Sequence, residues 1–351
     1  PNGAGEQPLY TIRLTLEDRT GAVYDVREYR QGIRRLRYVQ NENAPDGALP
    51  YTFEINGRKI YAKGVNLVPL DHIYGDIPRE RYETTLRAAA AMNVNLVRVW
   101  GGGIIETEDF YELCDQYGLM VWQEFIQSSS GIDNIPSKKP EFLELLEKTA
   151  RCAVRERRNH TSLTVWSGGN ELMDADGIPS TYEDPNIAML KAIVEELDPG
   201  RMFLPTSASG PTEWQLAEPG KSHDVHGDWK YRGNPHHYES YAQNDTLFHS
   251  EFGCDGMSGM RTVSRIFAPQ NQKPVSMEDG DVWRFHGDWW CTWQRDTGFF
   301  GEIREIGPYI AASQWIQAEG LRFILEANRR RQFRNSGSMI WQFNEPWPNV
   351  S

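Results

Sequence analysis

Two glutamates define the chemistry this chain could perform. Glu171 lies in the string WSGGNEL and Glu251 in FHSEFG, each at or near the end of a short apolar run of β-strand character. In parallel βα architectures the C-terminal ends of the strands carry the active site. A carboxylic acid and a carboxylate ~5 Å apart can straddle a bond with one proton donor and one nucleophile, the requirement of retaining glycoside hydrolysis. Either residue alone is equally well explained as an ordinary surface glutamate, but the two in these strings together are not. Sugars present apolar C–H faces and many hydroxyls, which Trp and Tyr platforms suit. The chain has 12 Trp. Trp100, Trp122, Trp166 and Trp341 fall in strand-like runs and divide between core packing and substrate contact, with Trp100 and Trp341 the expected ligand contacts.

The elements that must position these residues are legible as changes of period. Residues 8 to 40 alternate as strands, with a turn at Asp18 to Gly21, and predict a β-hairpin without a full sandwich around it. Asn41 to Pro50 has the composition of a linker, which places a boundary near residue 50. Apolar strands then alternate with amphipathic helices. Eight strands are predicted, at 61–67, 95–101, 119–125, 163–170, 202–207, 223–229, 246–253 and 338–345. Pro140 and Pro78 suit helix starts. A last helix carries Ile316, Gly320, Phe323, Ile324 and Ala327 on one face and Arg329 to Arg331 at its C-terminal end, where cations complement the helix dipole. Eight βα repeats without a Gly-rich phosphate turn fit an α/β fold of the (β/α)8 TIM barrel type better than an open sheet. With Glu171 ending strand four and Glu251 near the end of strand seven, the two face each other over the barrel mouth. Phe267 to Gly307, after strand seven, reads as a lid or substrate-facing insertion.

Composition excludes several alternatives. With 37 Lys and Arg against 49 Asp and Glu, the net charge of −12 leaves no diffuse basic footprint for nucleic acid or an anionic membrane surface. No charge-free run approaches the ~20 residues of a membrane helix. The chain reads as soluble, with its compartment open among secreted, periplasmic and lysosome-like settings. Cys114, Cys152, Cys254 and Cys291 form no C-x-x-C pair and read as mostly buried thiols. Sequons at Asn159, Asn244 and Asn349 carry little weight.

The strings KGVNLVPLD, VRVWGGG, VWQEF, WSGGNEL, FHSEFG and GSMIWQFNEPWPNVS together resemble glycoside hydrolase family 2, specifically its β-mannosidase-like branch. The resemblance implies Glu171 as general acid/base, Glu251 as nucleophile and Asn170 as partner of the sugar 2-hydroxyl. It further implies that Arg98 lies near the nucleophile and keeps it ionised, while Glu171 stays protonated at rest. Asn66 and Asp71 would line the sugar pocket, with a helix-capping role as the competing explanation for Asp71. His226 and Trp229, in HDVHGDW, are further pocket candidates. With His223, His236 and His237 nearby, a metal site is the rival reading. It is disfavoured because no H-E-x-x-H occurs and such hydrolysis requires no metal or other cofactor.

The expected activity is that of a retaining exo-β-glycosidase acting on a glycoside or oligosaccharide, β-mannoside first. β-Galactosidase, β-glucuronidase and exo-β-glucosaminidase activities, or a non-catalytic carbohydrate-binding relative, are the alternatives. Enzymes of this family place two sandwich domains before the barrel. Residues 1–50 therefore read as a β-strand remnant of an immunoglobulin-like domain plus linker, and residues 51–351 as the catalytic barrel. The flanking domains of a parent chain are then missing partners, and little room is left for an eighth helix.

Overall fold

The computed structural model describes residues 1–128, 134–287 and 292–350. The chain opens with an antiparallel ribbon of β1 (Tyr10–Glu17) and β2 (Val23–Gln31). Asp18 shapes its turn, accepting from the Thr20 and Ala22 N–H groups. The predicted alternation is present as strand geometry, yet neither face is covered: Leu14, Leu16, Val23 and Tyr24 are all exposed. A second antiparallel sheet joins β3 (Leu36–Val39), β4 (Thr52–Ile55) and β5 (Arg58–Ile60). Asn56 and Gly57 supply the two consecutive positive φ angles, 52° and 80°, that a two-residue type I′ hairpin requires. Because Tyr38 of β3 pairs with Phe53 of β4, a ladder spans the boundary expected near residue 50. Asn41 to Pro50 is therefore a loop within a sheet rather than a free linker. It is pinned where Asn41 Nδ2 donates to the carbonyls of Leu247 and Arg334.

Eight parallel strands follow at the predicted places: β6 (Ala62–Leu67), β7 (Leu96–Val99), β8 (Met120–Glu124), β9 (Leu163–Ser167), β10 (Met202–Leu204), β11 (Asp224–His226), β12 (Phe248–Phe252) and β13 (Gly337–Ile340). Their order, β10-β9-β8-β7-β6-β13-β12-β11, is that of a (β/α)8 barrel. Between β10 and β11 no strand ladder is formed among the described residues. There the Ser209 N–H and hydroxyl both donate to Asp224 Oδ2, Gly210 bridges Asp224, and Ser207 Oγ meets His226 Nε2 at 3.0 Å.

The helices are α1 (Arg79–Ala91), α2 (Glu108–Tyr117), α3 (Pro140–Arg157), α4 (Pro185–Leu197), α5 (His236–Gln243), α6 (Met260–Ile266), α7 (Asp281–Phe285), α8 (Trp293–Phe300) and α9 (Ile306–Arg330). Their ends follow local chemistry. Thr107 caps α2 and Gly118, at φ 68°, ends it. Pro140 begins α3, and Asp184 caps α4 ahead of Pro185. Pro78 is the residue before α1 rather than part of its first turn. In α9, Ile316, Gly320, Ile324 and Ala327 are buried, and Arg329 lies 4.6 Å over the Tyr61 ring. The arginine run is thus accounted for by helix end and packing. None of the helices is long and apolar enough to cross a membrane, among the described residues.

Alternation along the strands divides two cores. Val65, Leu67, Val97, Val99 and Val121 face the helices α1 to α4. Ala62, Leu96, Met120, Trp122, Val165, Leu204, Phe248 and Met339 instead fill the barrel and pack on Tyr51, Phe53 and Ile55, so the β4–β5 hairpin closes its floor. The segment after β12 builds its own cluster from Phe267, Trp283, Tyr309 and Ile310. His286, beside α7, stacks on Trp347 beyond β13, which stacks on His72 beyond β6, setting this segment on the rim of the mouth. Cys114 and Cys254 are buried and Cys152 is exposed, while Cys291 lies outside the described residues.

A Cβ added at Gly337 would fall 2.2 Å from Phe248 Cε2 and 2.9 Å from the Ala62 Cβ, with a fully buried ring unable to withdraw. Gly337→Ala is expected to cost ~1–3 kcal/mol by overpacking. A lowered denaturant midpoint with unchanged slope would show this, and an unchanged midpoint would contradict the packing described.

Candidate active site

The barrel mouth is organised around Arg98, which β7 directs into the interior and which has no exposed surface. Its Nε donates to Glu124 Oε1 at 2.9 Å and its Nη2 to Asn170 Oδ1 at 2.5 Å. Nη1 donates to Asn66 Oδ1 at 2.6 Å and to Glu251 Oε2 at 2.7 Å. Burial opposes the guanidinium charge, but Glu124 and Glu251 outweigh it and raise the pKa above its ordinary value. For Glu124, burial raises the pKa more than Arg98 lowers it. The second oxygen of Glu124 accepts from the Gly101 N–H at 2.7 Å. A Cβ at Gly101 would lie 2.3 Å from the Gln127 carbonyl, so the first glycine of VRVWGGG permits the close approach to the VWQEF strand.

Glu251, on β12, receives a second donor, Trp229 Nε1, at 2.9 Å on Oε1. Both of its oxygens therefore accept hydrogen bonds. Glu171 follows β9 with φ 51°, a left-handed conformation uncommon for a residue bearing a Cβ. Its N–H donates to the Ser207 carbonyl at 2.5 Å, and the next N–H, of Leu172, donates to Thr206 Oγ1. These bonds to the segment after β10 hold the turn that presents the side chain. Glu171 Oε1 lies 2.9 Å from His226 Nδ1, whose other ring nitrogen meets Ser207 Oγ. One ligand atom from each of Glu171, His226 and Glu251 lies within 4.8 Å of the others. That is close to the ~5–5.5 Å carboxyl spacing of a double-displacement site. Burial works against a charge on His226, but Glu251 and Glu171 overcome it and raise its pKa above the usual imidazole value.

The structure brings most of the residues singled out from sequence together here. Arg98, Asn170, Glu251 and Trp229 form one hydrogen-bonded group, and the Glu171–His226 pair lies beside it, with His226 Nδ1 3.9 Å from Glu251 Oε2. Trp100 and Trp341 are half-buried and meet edge to face at 5.6 Å, whereas Trp122 and Trp166 are buried in the cores. Two positions differ from expectation. Asn66 is fully buried beneath the mouth, its amide donating to the Ser250 carbonyl while its oxygen holds Arg98, so it supports the pocket rather than lining it. The Asp71 carboxylate accepts from the Ile73 N–H and from Arg81 Nη1, so it is engaged in a local turn and an ion pair, and it caps neither of the helices that follow.

The rival histidine cluster does not assemble. His223 Nε2 meets the Gly220 carbonyl, and His237 meets the Gly320 carbonyl among aromatic rings. The only grouping of metal-compatible side chains among the described residues is Glu171, His226 and Glu251, and there Arg98 already contributes the cation. Sequence reasoning missed Glu124, Ser207, Glu213 and Trp214. Glu124 satisfies the same criterion as Glu171 and Glu251, a carboxylate at a strand end, and could have been found. The others lie beyond the short β10, where the sequence carries no periodic signal.

Residues 50–216 match the family model described as glycosyl hydrolases family 2, TIM barrel domain. The whole chain is 28% identical to Beta-mannosidase B of Aspergillus flavus and to that of Emericella nidulans, covering 43% of each. It superposes over its full length on the crystal structure of a beta-D-mannosidase from Dictyoglomus thermophilum, with TM-score 0.84, 30% identity and 43% of that chain covered. An exo-chitosanase from Amycolatopsis orientalis shares the fold at TM-score 0.74 and 16% identity. The chain thus spans about two fifths of the length of these relatives.

Arg98→Met would leave Glu124 and Glu251 buried without the guanidinium that donates to both, at an expected cost of ~3–5 kcal/mol. Equilibrium unfolding of the variant against the parent measures it; a change below about 1 kcal/mol would mean that the charges are solvated by other means.

Proposed function

We propose that this chain, which belongs to glycoside hydrolase family 2, carries the catalytic site of a retaining exo-β-glycosidase whose preferred substrates are β-mannosides. The carrying observation is the pairing of Glu171 and Glu251 across the barrel mouth, with unlike partners. Glu251, with Arg98 and Trp229 donating to its two oxygens, suits a carboxylate nucleophile. In the first step it attacks the anomeric carbon while Glu171 transfers its proton to the departing oxygen. In the second, Glu171 takes a proton from water, which attacks the same carbon and releases Glu251. Asn170, oriented by Arg98, is assigned to the sugar 2-hydroxyl, and the Trp100–Trp341 pair to an apolar sugar face.

His226 serves as the proton partner of Glu171: one proton lies between Oε1 and Nδ1. The names of the relatives that match over the whole chain support the mannoside preference. Residues 51–351 are assigned to the catalytic barrel. Residues 1–50 are assigned to the preceding sandwich, with β3 recruited to the barrel floor.

A panel of p-nitrophenyl β-mannoside, β-galactoside, β-glucuronide, β-glucoside and β-glucosaminide tests the reading. The β-mannoside should be cleaved best, and Glu251→Gln should cleave none. Loss of general acid assistance in Glu171→Ala should cost ~10²–10⁴-fold on a poor leaving group and far less on a dinitrophenyl one. Undiminished turnover in Glu251→Gln would sink the assignment.

The raised pKa of His226 keeps its proton above the ordinary imidazole value of ~6.5, to be lost as pH rises through the higher value. The alkaline limb of kcat/KM should therefore move to lower pH in His226→Gln. An unmoved limb would separate His226 from the proton inventory.

A further inference from the structure

Glu213 lies in the segment between β10 and β11, which the mechanism above does not use. It is 6% exposed, and its backbone carbonyl accepts from the His226 N–H at 2.8 Å. Its carboxyl has no hydrogen-bond partner among the described residues. Its oxygens are not among the fully enclosed unpartnered atoms, so they keep the access to solvent through which a ligand hydroxyl could reach them. The carboxyl is coupled electrostatically to Glu171, and also to His226 and Glu251. The next residue, Trp214, pairs with His226 along the chain, sets its half-exposed ring edge to face against Trp229 at 5.4 Å, and lines a cavity of about 1060 Å³. Glu213 and Trp214 thus join an unpaired polar group to an aromatic platform on one short segment, beside the group that would protonate the departing oxygen.

We propose that Glu213 is a substrate-binding residue on the leaving-group side, where its carboxyl hydrogen-bonds a hydroxyl of a saccharide leaving group seated against Trp214. The inference rests on the reading of Glu171 as the acid/base, since that residue marks the side on which the leaving group departs. Burial, and then Glu171, push the Glu213 carboxyl up to about 8. Below that pH it is neutral and offers both a donor and an acceptor to a hydroxyl without adding a negative charge beside Glu171 and Glu251. An aryl leaving group has no hydroxyl at this position and gains nothing from it.

The test compares a β-1,4-linked mannose disaccharide with p-nitrophenyl β-mannoside, at pH 6, for the protein, Glu213→Ala and Glu213→Gln. Glu213→Ala should lose about tenfold or more in kcat/KM on the disaccharide, chiefly through KM, the scale of one net hydrogen bond. The aryl glycoside should stay within about threefold, and Glu213→Gln, which keeps a donor and an acceptor, should fall between. Equal loss on both substrates, or no loss on either, overturns the proposal. Disaccharide and mannose affinities are also measured by tryptophan fluorescence in a Glu251→Gln background, where Glu213→Ala should weaken the disaccharide alone. If the parent protein turns over neither substrate, the glycosidase reading fails, while this binding comparison still decides the role of Glu213: unchanged disaccharide affinity overturns it.

Discussion

One buried cation sets the terms for the rest of the mouth. A guanidinium with no exposed surface is tolerable only if acceptors meet its donors, and Arg98 draws them from β6, β8, the turn after β9 and β12. The strands are thereby tied by their side chains at the level where the chemistry occurs, above the apolar layer of Trp122, Phe248 and Met339 that fills the barrel. Fixing Arg98 also fixes Glu251 and Asn170. Sequence features that look unrelated, such as the first glycine of a glycine triplet and an asparagine in the first barrel strand, become parts of one arrangement: Gly101 donates to Glu124, and Asn66 orients Arg98.

The two glutamates are held in different ways, which suits different roles. Glu251 sits on a regular strand and accepts from a charged and an aromatic donor. Glu171 sits on a left-handed residue after its strand, anchored by backbone bonds to the next βα loop and paired with an imidazole. Both an uncommon backbone conformation and a titratable partner are thus concentrated on Glu171, the residue proposed to give and retake a proton. His226 makes its two ring contacts to Glu171 and Ser207, so the loops beyond β9 and β10 and the end of β11 act on Glu171 together.

Much of this was legible in the sequence because burial leaves a periodic trace. The eight barrel strands alternate between two cores, and their apolar residues mark them out in one dimension. Glu171 and Glu251 were legible because they end such strands. The errors arose where side-chain geometry, not periodicity, decides. Asp71 shares a string with the first strand, but Arg81 one helix away captures it. Asn66 points inward as expected, yet lies too deep to reach a sugar. The linker-like composition of Asn41 to Pro50 gave no sign that Tyr38 and Phe53 would pair across it, since a ladder depends on partners distant in sequence. Glu213 lies in an irregular segment whose burial comes from β11 and its loop, and nothing in its neighbours announces that.

The unladdered seam between β10 and β11 has a mechanical meaning. A barrel continuous in its backbone hydrogen bonds is a hoop, in which parting any two strands breaks several bonds at once. Here seven of the junctions are of that kind, and the eighth is a latch made of Ser207, Ser209, Asp224 and His226. Local opening follows the route of fewest cooperative bonds, which makes this latch the compliant part of the wall. The Glu171 N–H hangs from the latch through the Ser207 carbonyl, while Glu251 lies within β12, laddered to β13. Opening at this seam therefore acts on the segment whose Ser207 carbonyl holds the Glu171 N–H, without first breaking a strand ladder.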